Sequence, residues 1–263
     1  MNEDKRFIIN LFMKKVKCVK IPEKKHCGSE GHFLEKQMGI AHNSKNEPDI
    51  RGYEMKKESK KITFGDFSAS EYLFSKKKDF IDAYNASTNA YNSNNASTNE
   101  ISRDNFIRSF GHQNPKKHNR YSWSGSCVPK YGEWNEYGQL MEFDDKNNLC
   151  IYYDGTKDKR DKEKPFESKV MIAYWNSEKL MEHINKKFNK NGFFICKKVN
   201  SETYNTICFG NAFTFDYFVE HIKKRNIIFD SGMYMGNSRN YSQFRSSASF
   251  WDMLIVDEYT HEV

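Results

Sequence analysis

Apolar residues along this chain change their spacing repeatedly, and each change marks an element. Residues 6–21 (R-F-I-I-N-L-F-M-K-K-V-K-C-V-K-I) mix apolar and basic positions and predict a helix that ends before Pro22. A second helix is expected over 30–39, with Phe33, Leu34 and Met38 apolar and Gly39 placed to stop it. Pro48 then disfavours helix and Arg51-Gly52 can turn tightly, so 48–57 reads as extended, followed by a strand at 61–67. From 121 onward short β-like runs alternate with Gly, Asn and Asp turns. The last hundred residues alternate strand and helix. A buried strand is expected at 170–175, then a helix capped by Asn176 or Ser177 that carries Leu180, Ile184 and Phe188. The Asn191-Gly192 turn leads into F-F-I-C-K-K-V and a strand near 204–209, and a helix with Phe215, Phe218, Val219 and Ile222 precedes the strand I-I-F-D. The pattern is that of a mixed α/β protein.

Two segments fall outside this rhythm. Asn85-Ala-Ser-Thr-Asn89 recurs as Asn95-Ala-Ser-Thr-Asn99 in a small polar run, which reads as a flexible insertion over 83–100. The charge run T-K-D-K-R-D-K-E-K at 156–164 reads as a solvated loop.

Composition narrows the class. With 263 residues, 37 % hydrophobic and 15 % aromatic, the chain can bury a sizeable core as one large domain or two small ones. No stretch resembles a signal peptide or a membrane span, so a reduced cytoplasmic setting is expected. Cys127, Cys150, Cys196 and Cys208 read as small buried hydrophobes. His183 and His221 read as packing histidines on helices, and Cys27, His26 and His32 lack the paired spacing of a zinc site. The net charge of +7 suits a polyanionic partner.

The chemistry that such a partner would meet centres on P-D-I-R-G-Y-E-M-K-K at 48–57. In a strand, Glu54 and Lys56 share a face while Met55 points the other way. A turn at Arg51-Gly52 returns Asp49 beside Glu54. Two carboxylates, with the Met55 carbonyl as a third oxygen, suit Mg²⁺. Lys56 would then orient or deprotonate a water and counter charge on a phosphate. Set against this, a chain with 35 acidic and 42 basic residues will show D-x4-E-x-K by chance.

The order G-x-F-L-E-K-x-M-G-I around Glu35, then N-x-x-x-x-P-D ending at Asp49, then G-x-E-M-K with Glu54 and Lys56, resembles the MvaI/BcnI type of restriction endonuclease. That type is related to the MutH nickase within the PD-(D/E)xK nuclease superfamily. The likeness is strong at 31–57, fair at 170–256 and weak between 70 and 165. It implies a central mixed β-sheet flanked by helices in one domain over 1–263, with a catalytic lobe near 1–110 and a mixed core and recognition lobe over 111–263. It also implies Mg²⁺-dependent cleavage of double-stranded DNA by a monomer, leaving 5′-phosphate and 3′-hydroxyl ends at a G·C-rich site of the CC-x-GG class. Asp49 and Glu54 would hold the metal, Lys56 would assist the water, and Glu35 would orient the site or help a second ion.

For DNA contact the same resemblance nominates Arg239 and Arg245, and arginine can read guanine O6 and N7. Lys116, Lys117 and Arg120, close to Tyr121 and Trp123, suit backbone contacts that carry no sequence information. A cognate DNA methyltransferase is expected as a genetic neighbour. Two rivals share the residues: a MutH-like mismatch-repair nickase, and a non-catalytic DNA-binding protein of the same fold.

Overall fold

The computed structural model describes residues 1–23, 28–41, 46–75, 102–200 and 202–261. The expected insertion at 83–100, with its N-A-S-T-N repeat, lies outside the described residues, as do His26 and Cys27.

By its internal contacts the chain divides into two compact units. Met1–Ile62, Glu182–Val219 and Ser246–Val263 make the first, Thr63–Met181 and Glu220–Arg245 the second. In the first unit, helix α1 (Glu3–Lys15) begins where the Asn2 side chain accepts from the Lys5 amide. Glu3 and Asp4 at its start and Lys14 and Lys15 at its end both favour the helix dipole. It stops well short of the expected Ile21. The chain after it pairs instead with a strand edge, through bridges Lys17–Tyr204 and Lys20–Thr203. The backbone of Cys18 is left-handed there, at φ 59°. Nothing local in V-K-C-V-K-I announces that pairing; a tertiary partner overrides the helical pattern.

Helix α2 (Ser29–Gln37) follows, close to its expected bounds. Strand β1 (Glu54–Lys57) pairs in parallel with β9 (Phe193–Lys198). β9 pairs antiparallel with β10 (Tyr204–Gly210), which pairs antiparallel with β14 (Ile255–Tyr259). The sheet is therefore mixed, in the order β1-β9-β10-β14. One face carries Met55, Phe194, Cys196, Ile207 and Phe209 against Ile8, Ile9 and Phe12 of α1 and Leu34 of α2. On the other, Phe193 meets the Trp251 ring edge-on at 4.8 Å.

The second unit contributes more sheets than the single one expected. Three strands run β11 (Ile227–Ser231), β13 (Ser242–Ser247), β2 (Lys61–Asp66). Another three run β12 (Met233–Tyr234), β5 (Arg120–Trp123), β4 (His112–Asn114). Four more run β3 (Glu71–Tyr72), β8 (Val170–Trp175), β7 (Leu149–Asp158), β6 (Tyr137–Phe143). Its core is aromatic: Trp175 meets Tyr72 and Phe229 edge-on, and Trp123 meets Tyr72 and Phe106 likewise. Buried indoles need acceptors, and Trp123 Nε1 donates to Gln139 Oε1 at 2.8 Å.

The charge run meets its expectation in part. Its first residues extend β7 to Asp158, and Arg160 donates to Asp158 and to the Gly111 and Ser109 carbonyls. Together with Lys162 it satisfies carbonyls at the end of α3 (Arg103–Phe110). Residues 159–164 are irregular and mostly exposed, as a solvated loop would be, and Arg160 and Lys162 of that loop also cap a helix.

Candidate active site

The turn expected at Arg51-Gly52 forms: both residues are left-handed, at φ 47° and 81°, and Ile50 bridges Tyr53. At Gly52 a Cβ would lie 2.8 Å from Lys190 and 2.9 Å from the Asn191 side chain. Asn191 Nδ2 donates to the Arg51 carbonyl at 2.9 Å, and the Glu54 amide to Gly192 at 3.0 Å. The turn thus rests on the loop that leads into β9. Upstream, Asn46 donates to the His183 carbonyl and Glu47 pairs with Lys186, both on helix α4 (Ser177–Phe188).

Asp49, Glu54 and Lys56 come together in this frame. Asp49 Oδ2 accepts from the Met55 amide at 2.8 Å. Met55 is buried in the core cluster, while Glu54 and Lys56 lie on the opposite side of β1, only 3 % and 7 % exposed. Lys56 Nζ donates to Glu54 Oε1 at 2.8 Å and lies over the rings of Phe188 and Trp251. Lys187, in the last turn of α4, reaches the same oxygen at 3.0 Å. Glu54 Oε1 is thus shared by two ammonium groups, and Oε2 is buried with no hydrogen-bond partner among the described residues. Burial first, then the Glu54 carboxylate, pushes Asp49 up to about 7. Burial first, with Lys187 adding to it, pulls Lys56 below the usual lysine range while Glu54 opposes the shift.

Lys187 escaped the sequence reading because its signal is tertiary. It stands far along the chain from Glu54, and only the closeness of α4 to β1 brings them into contact. Glu35 lies half-buried on α2, with its Oε2 buried. Among the described residues no group of three or more His, Cys, Asp or Glu side chains gathers as a metal cluster. The candidate metal ligands remain the two carboxylates and a backbone oxygen.

The proposed DNA-contact residues all lie in the second unit. Lys116 and Lys117 are exposed on a single helical turn, Pro115–Lys117, capped by the Asn114 side chain. Arg120 stacks on the Tyr234 ring at 3.5 Å. Arg239 pairs with Asp66 at 2.9 Å and lies over Tyr241. Arg245 pairs with Asp230 at 3.3 Å. Sequence reasoning missed the carboxylate partners of both arginines. It also missed Arg103, which donates to Asn240 Oδ1, the Tyr234 carbonyl and the Arg239 carbonyl.

The buried histidine and cysteine expectations are met in part. Cys127, Cys150, Cys196 and Cys208 are buried as expected, Cys127 in a short turn at Gly125–Cys127. His183 and His221 lie on helices α4 and α5 (Phe215–Lys223). No helix among the described residues is long and apolar enough to cross a membrane.

The model of the LlaMI restriction endonuclease family matches residues 13–259. The type II restriction enzyme ScrFI of Lactococcus lactis subsp. cremoris is 36 % identical over 283 residues, covering 98 % of this chain and 99 % of that protein. Among solved structures, a complex of restriction endonuclease MvaI with its cognate DNA substrate superimposes with a TM-score of 0.59 at 13 % identity, covering 98 % of each chain. That likeness shows the fold. The family model and the near full-length relative show more: the chain belongs to the LlaMI restriction endonuclease family and is a type II restriction enzyme.

Proposed function

We propose that the chain hydrolyses phosphodiester bonds of double-stranded DNA at a short G·C-rich site of the CC-x-GG class, with Mg²⁺ held by Asp49 and Glu54. The observation that carries this is the Glu54 carboxylate. One oxygen is saturated by Lys56 and Lys187, the other is buried with no hydrogen-bond partner among the described residues, and the Glu54 charge is felt by Asp49. An orphaned buried carboxylate oxygen is costly unless a cation completes it. Two hard oxygens with room for waters and phosphate oxygens fit Mg²⁺ better than a closed protein cage. When bound, Mg²⁺ supplies Lewis acidity and water activation.

The protein groups divide the remaining work. Asp49 is held in place by the Met55 amide, so it would hold the ion without searching rotamers. Lys187 fixes Glu54 so that Oε2 and not Oε1 is the free oxygen. Lys56, its proton loosened by burial, orients the attacking water and takes a proton from it. Glu35 orients the site from α2. Lys116, Lys117 and Arg120 contact phosphates, and Arg239 and Arg245 approach the bases. The first unit cuts and the second reads. The protein acts in the cytoplasm as a monomer, beside a cognate methyltransferase encoded nearby.

The test is digestion of unmethylated phage DNA by the purified protein with Mg²⁺ or with EDTA. Discrete fragments are expected that vanish with EDTA and with Glu54→Ala. A product limited to nicked circles on plasmid, even at high protein, would favour a repair nickase. Cleavage that persists in Glu54→Ala would overturn the site.

A further inference from the structure

The two carboxylates of the candidate metal site are joined by a turn that its own sequence disfavours. The Tyr53 amide donates to the Ile50 carbonyl at 2.8 Å and the Ile50 amide to the Tyr53 carbonyl at 3.1 Å, which closes a two-residue loop over Arg51 and Gly52. Both loop residues are left-handed, at φ 47° and 81°, as in the mirror-image turn that joins twisted strands. Asn-Gly is a favoured pair there, because glycine has no Cβ and asparagine tolerates this backbone. Arginine has neither property. A residue held in such a region persists only where its surroundings over-determine it. Asp49 and Glu54 flank the loop, so any relaxation of Arg51 moves one carboxylate relative to the other.

Three supports meet on Arg51, and they come from two separate stretches of chain. Its carbonyl accepts from Asn191 Nδ2 at 2.9 Å. Its guanidinium donates to Asp4 Oδ1 at 2.8 Å and lies 4.1 Å from the centre of the Phe7 ring. Asp4 and Phe7 belong to α1, one turn apart, and Asn191 to the loop between α4 and β9. The stacking also accounts for Phe7, which is 42 % exposed while Phe12 of the same helix is fully buried. Each contact is modest on a surface, where solvent screens a charge. All three act through one strained residue.

We propose that Arg51, braced by Asn191, Asp4 and Phe7, is a positioning residue that fixes the separation of Asp49 and Glu54 in the metal-free chain. The proposal rests on the nuclease reading, with Mg²⁺ held by those two carboxylates. Ligands already set in place need no ordering when the ion binds. Loss of the brace therefore weakens metal binding and leaves the chemical step.

The test uses the full chain with Asn191→Ala, with Asp4→Ala plus Phe7→Ala, and with each of these combined with Arg51→Asn. The Mg²⁺ concentration for half-maximal cleavage of plasmid DNA is measured, together with the rate at saturating Mg²⁺. In the chains that keep Arg51, timed trypsin digestion without DNA or metal follows the cut after that residue by mass spectrometry. Breaking either support is expected to raise the Mg²⁺ demand about 10-fold, with a rate that recovers as Mg²⁺ saturates. The tryptic cut after Arg51 is expected to quicken, since a protease needs the turn to open. With Arg51→Asn the loop reads Asn-Gly, which holds the turn unaided, so the same losses of support cost little.

A lower rate at saturating Mg²⁺ with unchanged Mg²⁺ demand overturns the proposal. So do losses as large with Arg51→Asn as without it, or a tryptic cut that is no faster. Where wild type cuts nothing with Mg²⁺, the nuclease reading falls and this one with it. Where wild type cuts and the variants match it at every Mg²⁺ concentration, this one falls alone. Should Asn191→Ala fail to fold, Asn191→Asp takes its place, since it keeps the shape and loses the donor. The same rise in Mg²⁺ demand is then expected, and its absence overturns the proposal.

Discussion

Asp49 is poised at a pH where most carboxylates have long been ionised. Burial and the adjacent Glu54 charge raise it to about 7, so in the metal-free protein the protonated form is favoured on folding. A carboxyl whose folded pKa is raised contributes stability below its ordinary range, and loses it as pH climbs through the raised value. A divalent cation needs the ionised form, so binding below that value must expel the proton. Mg²⁺ titrated calorimetrically, in buffers of differing ionisation enthalpy, should release roughly one proton near pH 6 and almost none near pH 8.5. In Asp49→Asn the release near pH 6 should vanish. Release that is the same at both pH values would show that another group titrates. At this scale the sequence was informative where chemistry is local. Period two put Glu54 and Lys56 on one side of β1, and Arg51-Gly52 turned Asp49 back to them. Lys187 was out of reach because it meets Glu54 through a packing contact that no window of sequence contains.

Among the elements, α3 has a role that its own pattern conceals. Its first residue, Arg103, sends three donors to the end of β12 and the segment that follows it, at Tyr234, Arg239 and Asn240. That segment carries Arg239. Replacing the guanidinium removes all three bonds and leaves carbonyls to find water, at a cost of about 1–3 kcal/mol. Arg103→Gln should therefore unfold earlier in urea and bind cognate DNA more weakly, while cleavage of bound DNA stays near the wild-type rate. Equal losses in binding and in single-turnover rate would show that the segment serves the chemistry instead. The sequence foretold most strands and helices in this region, since Val, Ile and Trp at strand spacing and Asn176 at a cap are local signals. It misplaced the end of α1 and gave no sign that the charge run also caps a helix. Val16 to Ile21 follow a partner strand, and Arg160 and Lys162 follow the open carbonyls of α3, so both were decided by neighbours distant in sequence.

At the scale of the whole molecule, the +7 charge is a statement about affinity and its dependence on salt. Each phosphate neutralised adds about 0.9 to the steepness with which log K falls against log salt. Changing both Lys116 and Lys117 to alanine should flatten that slope by about 2 and leave the cleavage pattern unaltered. Anisotropy titrations between about 50 and 200 mM salt measure it. An unchanged slope would mean that this turn faces only solvent.

The first unit is spun from three separated stretches of chain, with the second unit threaded between them. Lys56 comes from the first stretch, Lys187 from the second and Trp251 from the third. With the cutting centre proposed above, a ribosome that stops early, or a protease that clips the chain in its later part, is expected to leave no cutting fragment behind. For a cell that carries such an enzyme beside its own chromosome, the weave is a safeguard. On the proposed assignment, a chain that stops after Arg245 keeps the second unit whole but leaves the first, with its cutting residues, incomplete.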